Sequence, residues 1–316
     1  MKEKINLIAL FGPTASGKTR LAAELGKRLG GEVVSADSMQ IYSGMRIGTA
    51  RPTQEEMLGV PHHLLGFLSP EESFSVAQYV PLAQRTIKEI AGRGKLPILA
   101  GGTGLYLSSV LQNLRFTETP ADPALREKLR QRAQEEGAMA LYEELERIDP
   151  RYAQNVHPNN EKRVIRALEL YYSAGVTMTQ QYENSRRESD YRALKLAIVF
   201  RDREKLYRRI DERVGRMFED GLLEEARTVL SGNCRGTALQ AIGYKELAPY
   251  FSGEITLDEA KENIRRETRR YAKRQLTWIR REEDIRELYA DSGQFDALLR
   301  EAMDAVHAFF EKEVQP

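Results

Sequence analysis

The chain has 316 residues and a net charge of +1, which suits one large domain or two of ordinary size. Its single cysteine, Cys234, excludes an intrachain disulfide and a thiolate metal site, and its four histidines include no i,i+4 pair of the kind that binds zinc. No apolar run is long enough to span a membrane and the chain opens directly on an apolar segment, so we expect a cytoplasmic protein without a membrane partner.

The first predicted elements are a buried strand over residues 5–11, a glycine-rich loop and a helix. The loop has the spacing G-x-x-x-x-G-K-T, in which Gly12 and Gly17 permit a tight turn whose amides converge on an anion. We expect a di- or triphosphate here, with Lys18 as a mobile cation and the Thr19 hydroxyl as a ligand of Mg²⁺. The predicted phosphate-binding residues of the loop are Gly12, Pro13, Thr14, Ala15, Ser16, Gly17, Lys18 and Thr19.

A second short strand is predicted over residues 32–36, and Asp37 follows it. An ionisable residue at the carboxyl end of a strand in an open α/β sheet points towards the ligand crevice. Asp37 is therefore a candidate general base or an indirect Mg²⁺ ligand; the alternative is a carboxylate that only caps the next turn. The later pair His62–His63 has no accompanying cluster of metal ligands, and we interpret it as structural.

A third strand is predicted over residues 96–100, after a helix that Ser73 or Ser75 is expected to cap. The strand ends in the second glycine-rich turn, residues 101–104, which opens a helix. By the same argument of amides and helix dipole, this turn predicts a place for an anion or an oxygen-bearing substrate, where Thr103 can supply a hydroxyl. The alternative is a simple tight connection between strand and helix.

Strand patterns disappear between residues 117 and 192, where helical patterns cover residues 123–136, 139–147 and 161–173. A helical block that interrupts an α/β pattern predicts an inserted subdomain. We therefore divide the chain into a core of residues 1–116 and 193–316 and an all-helical insertion of residues 117–192. The last of these helices carries Lys162, Arg163 and Arg166, which form either a solvated face or a face that contacts phosphates.

The core pattern resumes with a strand over residues 194–200 and a helix over residues 203–218. On this helix, Arg208 or Arg213 is expected to turn towards the bound phosphates. A terminal helix is predicted from residue 295 onwards and is expected only to pack against the rest.

A long helix over residues 257–282 carries two adjacent rows of cations. The rows are Arg265, Arg269 and Lys273, and Arg266, Arg270 and Arg274. Such cations repel one another unless an anion neutralises them, and a solvated face would normally include glutamates. We therefore interpret this face as binding nucleic acid.

The residues by themselves indicate a Mg²⁺-dependent transferase with a phosphate leaving or transferring group, a carboxylate near the acceptor and a basic nucleic-acid face. Two alternatives stay open at this point. An ATP-dependent nucleoside or shikimate-like kinase would explain the phosphate loop and Asp37 but not the basic helix. A P-loop regulator that binds nucleic acid without catalysis would leave Asp37 unused.

Five motifs, in order along nearly the whole chain, resemble the tRNA dimethylallyltransferase (tRNA isopentenyltransferase) family in its bacterial form. They are GPTASGKT at 12–19, ADSMQIY at 36–42, GGTGLY at 101–106, QAIGYKE at 240–246 and RRYAKRQLTWIRR at 269–281. The resemblance implies a P-loop NTPase-like parallel sheet flanked by helices, with the helical insertion. It also implies a loop that holds dimethylallyl diphosphate, with Mg²⁺ as cofactor, without nucleotide hydrolysis.

The resemblance implies the reaction as well. The exocyclic amine of the adenosine immediately 3′ of the tRNA anticodon would attack the allylic carbon, after this base has left the anticodon stack. Asp37 would orient the amine and accept its proton, and Thr103 would bond near the reacting centre. Lys18 and either Arg208 or Arg213 would hold the departing pyrophosphate.

The implied partners are the anticodon stem-loop of tRNA and dimethylallyl diphosphate, and we expect a monomer. Trp278 or Tyr244 is a candidate for stacking on a base. The alternative for the tryptophan is a position in the core. The expected tRNA-binding residues are Asp37, Ser38, Met39, Gln40, Thr103, Lys162, Arg163, Arg166, Gln240, Gly243, Tyr244, Lys273, Arg274, Gln275, Trp278 and Arg280.

Overall fold

The computed structural model describes residues 3–116, 122–232, 234 and 236–310. Its strands form one six-stranded, all-parallel sheet in the order β3-β2-β4-β1-β5-β6, which confirms the predicted α/β class and the parallel core. The strands are β1 (Ile5–Phe11), β2 (Glu32–Ser35), β3 (His62–His63), β4 (Pro97–Gly101), β5 (Tyr191–Val199) and β6 (Ile285–Tyr289).

Helices flank the sheet and also form a separate group between β4 and β5. They are α1 (Lys18–Leu29), α2 (Val76–Gly92), α3 (Gly104–Leu111), α4 (Pro123–Glu135), α5 (Ala138–Ile148), α6 (Pro150–Ala153), α7 (Glu161–Ala174), α8 (Met178–Ser185), α9 (Arg203–Glu219), α10 (Leu222–Ser231), α11 (Ala248–Phe251), α12 (Leu257–Ile279) and α13 (Phe295–Phe310). Within the described ranges, every helix is too short or too polar to cross a lipid bilayer.

β1 is the centre of the sheet and sets the position of the phosphate loop. It pairs with β4 on one side, where Ile8 lies opposite Ile98, and with β5 on the other, where Ile5 lies opposite Tyr191. A parallel strand that is covered on both faces reads as a continuous apolar run, and residues 7–11 are almost completely buried. The loop that follows β1 therefore lies at the carboxyl edge of the sheet, where α/β proteins bind ligands.

The histidine pair forms the edge strand β3, in register with β2. His63 Nε2 lies 2.7 Å from Glu32 Oε2, and His62 Nδ1 lies 2.9 Å from the carbonyl oxygen of Val60. Burial lowers the pKa of His62, which disfavours the protonated imidazole. These contacts agree with the structural interpretation of the pair.

The chain divides into two compact units, residues 1–111 with 189–316, and residues 112–188. The predicted start of the insertion, residue 117, lies outside the described residues. The predicted end at residue 192 is too late, because Tyr191 and Arg192 already belong to β5. The helical unit has its own core, which includes Leu129, Leu141, Leu145, Val164 and Leu168.

β6 was not predicted from the sequence, and the helix expected to reach residue 282 ends at Ile279. β6 pairs with β5, with Ile285 opposite Lys195, and lies at the edge of the sheet. Of its five residues only Leu288 is buried, so the apolar alternation that would identify a strand is too weak to detect.

Candidate active site

The phosphate loop has the backbone geometry that its glycines predict. Gly17 has φ 89° and caps the start of α1, and Ala15 has φ 60°, so the loop winds tightly with its amides at the helix N-terminus. Burial lowers the pKa of Lys18 to about 8; Asp37 opposes this shift and the neighbouring Arg213 adds to it. An incoming anion would therefore stabilise the charged form of Lys18.

Helix α9 supplies arginines to this loop. The Arg213 Nη1 atom donates to Thr14 Oγ1 at 3.4 Å, and burial lowers the pKa of Arg213. Arg209 and Arg216 lie with Arg213 in a basic cavity beside the loop, and neither was predicted. Arg208 is exposed, because successive residues of a helix point about 100° apart. Of the two candidates, the structure therefore favours Arg213.

Asp37 uses one carboxylate oxygen to hold its own turn. Its Oδ1 accepts hydrogen bonds from the backbone N–H groups of Met39 at 2.9 Å and of Gln40 at 3.3 Å. Among the described residues, no hydrogen bond to Oδ2 is present, so this oxygen is available to a ligand. Asp37 lines one cavity together with Lys18, Thr19 and Arg213, so the carboxylate and the phosphate loop face the same space.

Thr103 ties the second glycine-rich turn to the segment of Asp37. Its Oγ1 accepts from the backbone N–H of Ser38 at 3.0 Å and donates to Ser38 Oγ at 3.2 Å. Tyr271 lies near Asp37, and burial, followed by the charge of Asp37, raises the pKa of Tyr271. Tyr271 lines the cavity and was missed, because its helical position indicates only a core residue.

Two further segments close the cavity that contains Asp37. Gln240, Gly243 and Lys245 lie on its wall, and the first two stay predicted tRNA contacts. Val214, Met217 and Ile264 give the cavity an apolar side. The predicted base reader Gln40 has its amide occupied, since Nε2 donates to the carbonyl oxygens of Thr49 at 3.2 Å and Ala50 at 3.1 Å.

Tyr244 cannot stack on a base as suggested, because it is completely buried. Its ring lies where a Cβ on Gly48 would be, and its hydroxyl donates to Glu225 Oε1 at 2.6 Å. Glu225 also accepts the backbone N–H groups of Arg46, Ile47 and Gly48 at 2.9–3.0 Å. Tyr244 therefore helps to hold the loop that carries Arg46, which lines the basic cavity.

The glycines of the second glycine-rich turn make room for α12. A Cβ on Gly102 would overlap the side chain of Gln275, and a Cβ on Gly104 would overlap the indole of Trp278. The half-buried Trp278 donates from Nε1 to Ser108 Oγ at 3.0 Å. Close helix packing thus accounts for these glycines, and a place for an anion or an oxygen-bearing substrate at this turn stays a prediction.

The two rows of cations on α12 are balanced over part of their length. Arg269 pairs with Asp211 of α9, Arg265 with Glu262 at 3.2 Å and Arg270 with Glu267 at 2.6 Å. The two rows are thus partly neutralised within the protein, and the prediction that all six cations need an external anion is wrong. On α12 and directly after it, the exposed cations that form no ion pair within the described residues are Lys273, Arg274, Arg280 and Arg281. Arg274 lies over the ring of Tyr271.

In the helical unit, α7 carries the three predicted tRNA contacts. Lys162 and Arg163 are exposed. Arg166 is engaged in an ion pair, with Nη1 3.0 Å from Oε2 of the buried Glu169. Arg126 pairs with the same carboxylate at 2.9 Å, so Arg166 has a structural role within this unit.

The described residues contain no group of three histidine, cysteine or acidic side chains that would hold a metal ion by themselves. The Thr19 hydroxyl is the predicted ligand, and it lines both the cavity of Asp37 and the basic cavity. A single hydroxyl fits an ion whose remaining ligands are phosphate oxygens and water, as Mg²⁺ prefers.

Comparisons with known proteins agree with these motifs. The model of the IPP transferase family matches residues 40–282, and that of the isopentenyl transferases matches residues 5–66. The tRNA dimethylallyltransferase of Bacillus subtilis is 50% identical over 275 residues, 87% of each chain. That of Geobacillus kaustophilus is 48% identical over 303 residues, 95% of each chain.

Solved structures show the same likeness. The tRNA isopentenylpyrophosphate transferase of Bacillus halodurans has a TM-score of 0.74 and 42% identity, with 98% of each chain covered. A eukaryotic dimethylallyltransferase acting on tRNA has a TM-score of 0.81 and 30% identity, covering 98% of this chain and 80% of that one. The chain therefore belongs to the tRNA dimethylallyltransferase family and is a transferase enzyme.

Proposed function

We propose that the protein transfers the dimethylallyl group of dimethylallyl diphosphate to the exocyclic amine of the adenosine 3′ of the anticodon in tRNA, releasing pyrophosphate. The observation that carries this proposal is that Lys18, Thr19 and Arg213 share one cavity with Asp37. Such a cavity suits a diphosphate leaving group beside a base for the acceptor. The names of the relatives supply the class of substrates.

In the proposed reaction, the bond between the allylic carbon and the diphosphate oxygen breaks, and its electron pair leaves with pyrophosphate. The amine nitrogen forms the new bond to carbon and gives up one proton. Asp37 Oδ2 receives this proton, because Oδ1 is already held by two amides. Lys18 and Arg213 stabilise the charge that develops on the leaving group.

The apolar side of the cavity has a role in the same step. Val214, Met217 and Ile264 would surround the five-carbon group, which excludes water from the allylic carbon. Thr103 would act by fixing the turn of Asp37 through Ser38.

Mg²⁺ is the proposed cofactor, with the Thr19 hydroxyl and the diphosphate oxygens as its ligands. When bound, the ion would neutralise part of the charge of the leaving group. The residues of this chain that orient the diphosphate are the loop amides, Lys18 and Arg213.

The proposed tRNA contacts are the exposed cations without a carboxylate partner. They include Lys273 and Arg274 on α12, Arg280 directly after it, and Lys162 and Arg163 on α7. We propose the anticodon stem-loop as the bound part, held mainly by phosphate contacts. The residues proposed for the reaction all belong to one chain, and we propose that the protein acts as a monomer in the cytoplasm.

The kinase alternative would use the same phosphate loop for ATP. The relatives are named for dimethylallyl and isopentenyl transfer to tRNA, which favours the prenyl donor.

The test is an incubation of the protein with Mg²⁺ and unmodified tRNA, with dimethylallyl diphosphate or ATP in parallel, followed by digestion and mass spectrometry. We expect a five-carbon adduct on one adenosine, with dimethylallyl diphosphate only.

Asp37→Asn should lower kcat by about 10²–10⁴-fold while tRNA affinity stays the same. Glu71→Gln, an exposed carboxylate, is the control. Consumption of ATP without an adduct would overturn the proposal.

A further inference from the structure

One buried side chain joins the two glycine-rich loops of the site. Gln275 Oε1 accepts from the backbone N–H of Thr14 in the phosphate loop at 2.8 Å. Its Nε2 donates to the carbonyl oxygen of Gly102, in the second glycine-rich turn, at 2.9 Å. Gln275 is only 6% exposed, and both ends of its amide are bonded within the protein, which favours a structural bond over the predicted RNA contact.

The chemistry of these two bonds requires an amide. A carboxamide presents an acceptor and a donor at the end of one side chain, and no carboxylate, hydroxyl or thioether of similar length offers the same pair of bonds. The glycine at position 102 is the other half of the arrangement, because a Cβ there would overlap Nε2. The two hydrogen bonds of Gln275, which we call the Gln275 clamp, adjoin the proposed base, since the same Cβ would lie 3.8 Å from Asp37 Oδ2.

Each loop carries one side of the proposed reaction. Thr14 also receives the hydrogen bond of Arg213, so it belongs to the group that would hold the diphosphate. Gly102 precedes Thr103, which holds the turn of Asp37 through Ser38. The distance between Thr14 and Gly102 therefore sets how far the allylic carbon lies from the acceptor amine.

We propose that Gln275 is a positioning residue that fixes the spacing between the donor loop and the acceptor side of the cavity. This inference rests on the proposed function. Reactions between two bound groups depend steeply on their placement, and a displacement of about 1 Å costs on the order of 10²-fold in rate. Loss of the clamp therefore lowers kcat more than it changes the binding of either substrate.

Two substitutions separate the two bonds. Gln275→Glu keeps an acceptor for the Thr14 amide but places a carboxylate against the Gly102 carbonyl, whereas Gln275→Met has nearly the same length and makes neither bond. We expect kcat to fall by about 10²-fold for both, with KM for dimethylallyl diphosphate and for tRNA changed by less than about threefold. Thr277→Ala, on an exposed position of the same helix, should match the unsubstituted protein.

The single tryptophan controls for a change of structure. Trp278 packs against Gly104 one turn from Gln275, so an unchanged emission spectrum shows that α12 still lies on the second glycine-rich turn. With that spectrum retained, full kcat in both variants would overturn the proposal. A raised KM for tRNA at unchanged kcat would also overturn it and would restore an RNA contact. Absence of prenyl transfer by the unsubstituted protein would instead contradict the proposed function.

Discussion

Tyr244 donates a hydrogen bond to Glu225, and this pair holds the loop that borders both cavities of the site. The Oη–Oε1 distance is 2.6 Å. Glu225 also accepts the backbone N–H groups of three consecutive residues, Arg46 to Gly48. The carboxylate thus binds three consecutive backbone N–H groups, as an anion would. It thereby orders the loop that brings Arg46 to the basic cavity.

We expect Tyr244→Phe to lower the free energy of unfolding by about 0.5–1.5 kcal/mol, because the partly buried Glu225 Oε1 loses one of its hydrogen-bond donors and keeps the amides of Ile47 and Gly48. KM for dimethylallyl diphosphate should rise and the Kd for tRNA should stay the same. Chemical denaturation measures the free energy of unfolding, steady-state kinetics measure KM, and filter binding measures the Kd for tRNA. Tyr250→Phe, a partly exposed tyrosine in the same unit, is the control. A weaker tRNA affinity in Tyr244→Phe would instead support a contact with a base.

The donor step should lose efficiency at alkaline pH. The pKa of Lys18 is lowered to about 8, so the free protein loses this positive charge as the pH rises through that value. We expect kcat/KM for dimethylallyl diphosphate, which reports the free enzyme, to be constant below about pH 8 and to decline above it. The pH profile of Lys18→Arg, whose guanidinium stays charged, should lack this decline. A flat profile for the unsubstituted protein up to pH 10 would contradict the assignment.

Arg213 and Arg208 give a matched pair of substitutions on one helix. Arg213→Gln should raise KM for dimethylallyl diphosphate and lower kcat/KM by about 10²–10³-fold, because a half-buried cation beside the phosphate loop is lost. Arg208→Gln should change neither quantity by more than about twofold, since its side chain is exposed. Equal losses in both variants would mean that the orientation of α9 differs from the one described.

The salt dependence of tRNA binding should separate the free cations of α12 from the paired ones. Lys273→Gln should reduce the slope of log K against log salt by about 1, because one phosphate contact is lost. The double variant Glu262→Gln/Arg265→Gln removes an ion pair on the same helix and should leave the slope unchanged. The slope can be measured by filter binding at four salt concentrations, and an unchanged slope for Lys273→Gln would count against the proposed contact.

Glu169 should be essential to the stability of the helical unit. Burial alone would raise the pKa of Glu169, but hydrogen bonds from Arg166 and Arg126 lower it. The ion pairs therefore stabilise the unit above the carboxyl's unfolded pKa, and this contribution is lost as the pH falls through the lowered folded pKa.

We expect Glu169→Gln to speed hydrogen exchange of the α7 amides in the full chain by about 10-fold or more, because two arginines lose their partner. Glu146→Gln on α5, an exposed position, should leave the exchange rates unchanged. Protection equal to that of the unsubstituted chain would show that the pairs add no stability.

The elements with strong local patterns could be predicted from the sequence. The apolar run before Gly12 defines β1, and the spacing of Gly17, Lys18 and Thr19 defines the loop. Asp37 could be placed at the sheet edge because it directly follows a strand. For each of these, the local sequence and the global fold agree.

The remaining features depend on contacts between distant segments. Arg208 and Arg209 are adjacent in sequence, and only the packing of α9 decides which of them faces the loop. Gln275 looks like any polar residue of a basic helix, although its amide meets two loops more than 170 residues away in sequence. β6 is an exposed edge strand, so its apolar pattern is weak.

The close packing of Gln275 and Trp278 on the second glycine-rich turn limits how the donor specificity of this enzyme can be redesigned. Larger residues at Gly102 or Gly104 would overlap side chains of α12. They would therefore displace this helix, which is more than a change in the shape of the cavity. Room for a longer prenyl chain would have to be made on the apolar side of the cavity, which Met217 and Ile264 line. Shortening these side chains would lengthen the pocket while the two reacting ends keep their spacing.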